Sequence, residues 1–170
     1  MEQEFHKVTV RGLTLDPATN APIVLLRTDE GGRVLPIWIG LFEANAIATE
    51  MEGVTTPRPM THDLLRNLAQ ALGAEVTQAV VDELRENTFH ATVYLRSDGG
   101  ECRLDARPSD AIALALRAGA PIFVTQDVLA RARVVEVDEG LGEPSQWRAW
   151  LDRIQPGDFE ERGGGTGRAG

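Results

Sequence analysis

The chain has 170 residues, 42% hydrophobic and 25% charged, the balance of one globular domain large enough to bury a core without disulfides or a structural metal. No apolar run approaches the ~18 residues of a membrane span. The formal net charge of −9 argues against a protein that coats nucleic-acid phosphates with a basic stripe. It leaves open an enzyme that holds such a substrate through divalent cations. Sixteen of the 17 basic residues are Arg, which the codon usage of a GC-rich genome explains without selection for phosphate forks. The acidic start, Met1-Glu2-Gln3-Glu4, lacks the basic and apolar regions of a signal peptide, so the expected location is cytoplasmic.

Residues Phe5 to Leu15 read as a strand. Pro22 to Arg27 and Arg33 to Ile39 are apolar and β-branched, with Asp29-Glu30-Gly31-Gly32 between them as a hairpin turn. A helix follows, with Ala44, Ile47, Ala48 and Met51 at i, i+3, i+4 and i+7 and Gly53 as its stop. After Pro57 and Pro59, Thr61 is a suitable N-cap for a helix presenting Leu64, Leu65, Leu68 and Leu72. Met60 is placed to staple onto Leu65, and Gly73 supplies the stop. Glu75 to Leu84, Thr88 to Arg96 and Glu101 to Asp105 read as strands, and Pro108 to Arg117 as a helix entered through proline. Cys102, the sole cysteine, falls in one of these strands and reads as a buried, inert thiol. Pro121 to Val124, a short helix from Thr125 and a strand near Arg133 to Val137 complete the body.

The order of elements repeats. "LLRTDEGGRVLPIWIGLFEANAIA" aligns with "YLRSDGGECRLDARPSDAIALA" through Leu-Arg-Thr/Ser-Asp, Gly-Gly and Ala-Ile-Ala. The expected fold is therefore α/β (α+β), a mixed sheet from a duplicated three-strand-plus-helix unit over residues 1–138. Ile37, Ile39, Ile47, Leu68, Val93, Ile112, Leu116 and Ile122 are its expected core. Residues 139–159 read as a linker and an amphipathic helix. Its stripe of Trp147, Trp150, Leu151 and Ile154 should dock on the domain or on a second subunit of a homodimer. The Gly-rich residues 160–170 are an expected disordered tail.

One stretch carries more charge than a helix start needs. Asp105-Ala106-Arg107-Pro108-Ser109-Asp110 places two carboxylates, a guanidinium and a hydroxyl where a strand hands over to a helix. Capping accounts for Asp110 and for Ser109, and Arg107 has Asp105 within local reach. The surplus points to a site in which Asp105 and Asp110 hold Mg²⁺ or Mn²⁺ while Arg107 grips a phosphate oxygen. Glu43 opens the helix of the first unit in the equivalent turn, as a first-turn acid or a contributor to that site. His62 and Asp63 sit in another first turn, where His62 has the chemistry of a general base or a metal ligand. A lone histidine at a helix start is more often a solvated or packed residue. His6 and His90 lie in strand patterns without acidic neighbours.

"VLPIWIG", "RPMTHDLL", "NTFHATVYLRSDG" and above all "DARPSDAIALALRAGAPIFV" resemble the bifunctional nuclease family of bacteria and plants, from about His6 to Val137. "WRAWLDRIQPGDF" is similar to the C-terminal helix of many bacterial members. The resemblance implies a mixed α/β domain from a duplicated unit, a homodimer, and nuclease activity on both DNA and RNA. It assigns no catalytic residues. The family's strongest motif falls on Asp105, Arg107, Pro108, Ser109 and Asp110, and its second on Arg58, Pro59, Thr61, His62 and Asp63. The competing expectation is a non-catalytic oligomeric module that regulates or binds a small anionic ligand. The acidic charge and the absence of a basic groove favour that alternative.

Overall fold

A computed structural model describes residues 4–136 and shows the expected elements in the expected order. Strands β1 (Phe5–Leu15), β2 (Pro22–Thr28) and β3 (Arg33–Trp38) are followed by helices α1 (Leu41–Met51) and α2 (Thr61–Ala71). Strands β4 (Glu75–Arg85), β5 (Thr88–Ser97) and β6 (Gly100–Ala106) lead into α3 (Pro108–Ala118). The described chain closes with β7 (Ile122–Thr125), α4 (Gln126–Arg131) and β8 (Val135–Glu136). The expected linker, the tryptophan-bearing helix and the Gly-rich tail lie outside the described residues. No helix among the described residues is long and apolar enough to cross a membrane.

One mixed sheet takes all eight strands in the order β6-β5-β4-β7-β1-β2-β3-β8. Each half is an antiparallel meander followed by a helix, as the repeat predicts. The seam is β7, where Ile122 lies opposite Val8 of β1 and Ala79 of β4. Its pairing with β4 is parallel, so the chain must cross the sheet between them. Helix α3 makes that crossing. Gly119, at φ 63°, lets it end in a left-handed turn that a Cβ would disfavour. Val8, Val24, Leu26, Leu35 and Ile37 from one half and Ala79, Val81, Ala91 and Val93 from the other share a core with Ile47 and Ile112. Alanines 111, 113 and 115 are buried, and their small side chains seat α3 close against its neighbours.

Of the expected core, Ile37, Ile47, Val93, Ile112 and Ile122 are buried, and Ile39 and Leu116 are half-buried. Leu68 corrects the expectation: it is 53% exposed. The reason is the orientation of α2, which is inside out. Leu64, Leu65 and Leu72 are exposed with it, while His62 is buried. Helical periodicity marks an apolar face but does not say what that face meets. The cap also differs. Met60, not Thr61, is the N-cap, and its amide donates to the Asp63 carboxylate at 2.9 Å. Met60 and Leu65 both remain exposed. Cys102 is exposed rather than buried, because β6 is the outermost strand of the sheet on that side.

What holds α2 to the body is polar. Arg117, whose side chain is 2% exposed, donates from Nε to Asp63 Oδ1 at 2.9 Å. Its Nη1 and Nη2 donate to the Ala113 and Ala46 carbonyls, both at 2.9 Å. One guanidinium thus ties α1, α2 and α3, and a charge so deeply buried requires its counter-ion. Arg66 adds a donation to the Arg117 carbonyl at 3.4 Å.

Two carboxylates titrate below their usual range. The Met60 amide, and after it the Arg117 guanidinium, hold Asp63 down against a desolvation that opposes them. At Asp16 burial is the largest influence and favours the neutral form. The Trp38 indole N–H and the Ala18 and Thr19 amides together outweigh it. A carboxylate with a depressed folded pKa stabilises the fold above its unfolded pKa of ~3.9, and that contribution disappears as pH falls through the folded value. Asp63→Ala should therefore cost on the order of 3 kcal/mol at neutral pH in urea unfolding, since it strands a buried Arg. Its stability should also fall less steeply than that of the wild type as pH drops below the ordinary carboxylate range. An acid limb of unchanged steepness would contradict the assignment.

Candidate functional site at three helix starts

The first turns of α1, α2 and α3 converge. Gly40 caps α1 and Glu43 lies in its first turn; Arg107 caps α3 and Asp110 lies in its first turn; His62 lies in the first turn of α2. Arg107 bridges two of these helices. Its Nη2 lies 2.9 Å from Glu43 Oε1 and 2.8 Å from Asp110 Oδ2, and its Nε donates to the same Asp110 oxygen at 2.8 Å. The other Asp110 oxygen, Oδ1, accepts from His62 Nε2 at 2.9 Å, which fixes that nitrogen as the protonated one. The result is a continuous chain Glu43–Arg107–Asp110–His62.

Exposure along this chain peaks at Arg107. The His62 side chain is 8% exposed, Glu43 16%, Asp110 31% and Arg107 67%. Acids at helix starts meet the positive end of the peptide dipoles, so three convergent starts favour anions at this place. Hydrogen bonding to Asp110, together with the charges of Asp110 and Glu43, raises the Arg107 pKa further, and the guanidinium stays charged. Glu43 owes its position to Gly40: a Cβ there would collide with Glu43 Oε2.

The remaining sequence candidates fall elsewhere. Asp105 stands opposite Thr92, between Ala91 and Val93, which face the core. It therefore projects with Thr92 from the other face of the sheet and is exposed. Asp105 and Asp110 are not brought together, nor are Asp105 and Arg107. Ser109 is buried in the first turn of α3 and makes no capping bond. Asp63 is committed to Met60 and Arg117. Among the described residues no three His, Cys, Asp or Glu side chains converge as a metal-binding set. An open depression of about 240 Å³ between the C-terminal half of α1 and α2, floored by Asp63 and Arg117, shares no residue with the Arg107 cluster. Arg117 itself was missed in the sequence, although a lone Arg inside the apolar run AIALALRAGAPIFV is a detectable signal.

Residues 24–137 match the family model of the bifunctional nuclease domain. A Mycobacterium tuberculosis protein of uncharacterized function is 40% identical over 163 residues, which cover 91% of this chain and 98% of that protein. Bifunctional nuclease 2 of Arabidopsis thaliana is 29% identical over 126 residues, 72% of this chain and 38% of the plant protein. Bifunctional nuclease 1 of Oryza sativa subsp. indica is 27% identical over 116 residues, covering 66% and 35%. The match thus spans little more than a third of either plant protein. With the matched span, the motifs and the duplicated meander in agreement, this chain belongs to the bifunctional nuclease domain family.

Proposed function

We propose that the chain is a nuclease that hydrolyses phosphodiester bonds of DNA and RNA at the Glu43–Arg107–Asp110 cluster, assisted by Mg²⁺ or Mn²⁺. One observation carries this reading: carboxylates from two helices share a single guanidinium whose side chain is 67% exposed. Mg²⁺ sites are commonly built from one or two carboxylates, with waters and substrate phosphate oxygens completing the shell. Glu43 and Asp110 are a donor pair of that kind, and Asp105 is not. A divalent ion held there would polarise the phosphoryl group and acidify a bound water.

The chain's own residues supply the rest. Arg107, freed from its carboxylates, forks onto a non-bridging phosphate oxygen and offsets the charge that develops as water adds to phosphorus. His62 donates to Asp110 and holds its carboxylate in one orientation, a positioning role, since its ring is almost wholly buried. Ser109 and Asp63 belong to the scaffold. One exposed thiol and no cysteine pair suit a reducing, cytoplasmic location.

A second reading is favoured by the same ion pairs. If Arg107 never leaves Glu43 and Asp110, the cluster is a lock between helix starts, and the chain is a non-catalytic oligomeric module.

Activity and stability separate the two on highly purified protein. Asp110→Asn and Arg107→Ala should each lower cleavage of DNA and RNA by at least ~100-fold, while melting shifts by only the few degrees that ~1 kcal/mol implies. Asp105→Ala, on the opposite sheet face, should cleave at the wild-type rate. Chelation should abolish cleavage and added Mg²⁺ or Mn²⁺ restore it. Full activity in Asp110→Asn would leave the lock as the correct reading. Gly40→Ala offers an independent check. Gly40 has φ −76°, so alanine is tolerated by the backbone and the strain falls on Glu43. Displacing Glu43 should cut cleavage with stability held within ~0.5 kcal/mol. An unchanged rate would remove Glu43 from the site.

A further inference from the structure

We infer that the depression between α1 and α2 is a subsite for one guanine base of the nucleic acid, an inference that rests on the nuclease reading above. The depression and the Arg107 cluster are in line. Glu43 and Glu50 lie at i and i+7 on α1, about 10 Å apart on one face, and Asp110 and Arg117 have the same spacing on α3. His62 and Arg66, at i and i+4, share one face of α2. The helix starts hold the cluster, and the depression opens one to two turns further along the same helices. A strand whose phosphate sits at Arg107 can lay a neighbouring base there.

The lining selects a neutral, planar ligand. Glu50 and Asp63 balance Arg66 and Arg117 in formal charge, so neither a phosphate nor an amine gains a net attraction. The three nitrogens of Arg117 are committed to Asp63, Ala113 and Ala46. A volume of about 240 Å³ lies below the ~300–1,000 Å³ of sites for drug-sized molecules and suits one ring system. Val54, Pro57 and Pro59 offer apolar surface to the ring faces. Glu50 and Asn67 are placed to read the ring edge. The Thr49 and Thr56 hydroxyls donate to the Asn45 and Arg58 carbonyls, whereas the half-buried Glu50 carboxylate has no hydrogen bond or ion pair among the described residues. Arg66 donates from Nε and Nη2 to Asn67 Oδ1 at 3.3 and 3.1 Å, which leaves the Asn67 amide nitrogen as a donor. A carboxylate accepts best from two parallel N–H groups. Of the four bases only guanine carries such a pair, N1–H and N2–H, with the O6 acceptor beside it for an amide donor.

Binding of short uridine RNAs, each with one internal uridine replaced by guanosine, adenosine or cytidine, tests the subsite. The full chain is used, with chelator present so that no strand is cut. Fluorescence anisotropy should show the guanosine strand bound ~10-fold more tightly than the others, the discrimination of one bidentate base contact. Glu50→Gln and Asn67→Ala should each remove most of that preference and leave the affinity for the adenosine strand and the melting temperature unchanged. With Mg²⁺ added, wild-type cuts should cluster beside guanosines and Glu50→Gln cuts should spread along the strand. The subsite and the nuclease fail separately. Guanosine preference in binding without any cleavage supports the subsite and removes the nuclease. Cleavage that Asp110→Asn abolishes, with equal affinity for all the strands, keeps the nuclease and overturns the subsite. A preference that survives both Glu50→Gln and Asn67→Ala, or no binding of any strand, would also overturn it.

Discussion

The buried Arg117 guanidinium is the constraint on which the helical layer depends. It sits in the last turn of α3, where a cation meets the negative end of the helix dipole. From there it reaches a carbonyl of α1, a carbonyl of its own helix and the Asp63 carboxylate of α2. Such a charge is tolerated in an apolar layer only when its donors are satisfied, so each of these contacts is required of the fold. The sheet and the Ile47–Ile112 core would close without it. The position of α2 would not be defined.

That dependence explains why α2 lies with its leucines outward. Apolar packing would draw Leu64, Leu65 and Leu68 inward. The Asp63–Arg117 and His62–Asp110 pairs sit on the other side of the same helix, and both face α3. Turning the leucines inward would separate Arg117 from Asp63 and Asp110 from His62. The polar side of the helix is the one that meets the body, and the apolar side is exposed.

The same two contacts bring the Glu43–Arg107–Asp110–His62 cluster together. Asp63 and His62 are adjacent, so seating Asp63 on Arg117 delivers His62 to Asp110. Asp110 and Glu43 then share Arg107 at the rim. Exposure rises from His62 through Asp110 to Arg107, from a buried ring to a guanidinium at the surface. A buried base beneath one exposed cation is the arrangement on which the proposed phosphodiester binding rests. It equally suits a lock between helix starts.

The sequence by itself determined the elements and their repetition, because these are local properties. Alternation defined the strands, Gly-Gly and Gly119 defined turns, and Pro108 marked the start of α3. The mixed sheet followed from the duplicated unit, and its seam strand β7 stood out as a short apolar run after Pro121. Asp110, Arg107, Glu43 and His62 were also legible as an excess of charge at helix starts. Their grouping was not, since Glu43 and Arg107 meet only when two distant helices cross the same sheet. Asp105 shows the limit most plainly. It is two residues from Arg107 in sequence, yet strand alternation sends it to the opposite face of the sheet. The outward leucines of α2 and the exposure of Cys102 were likewise decided by tertiary structure. Periodicity reports which residues share a face, and only the packing of neighbouring elements decides whether that face meets protein or water.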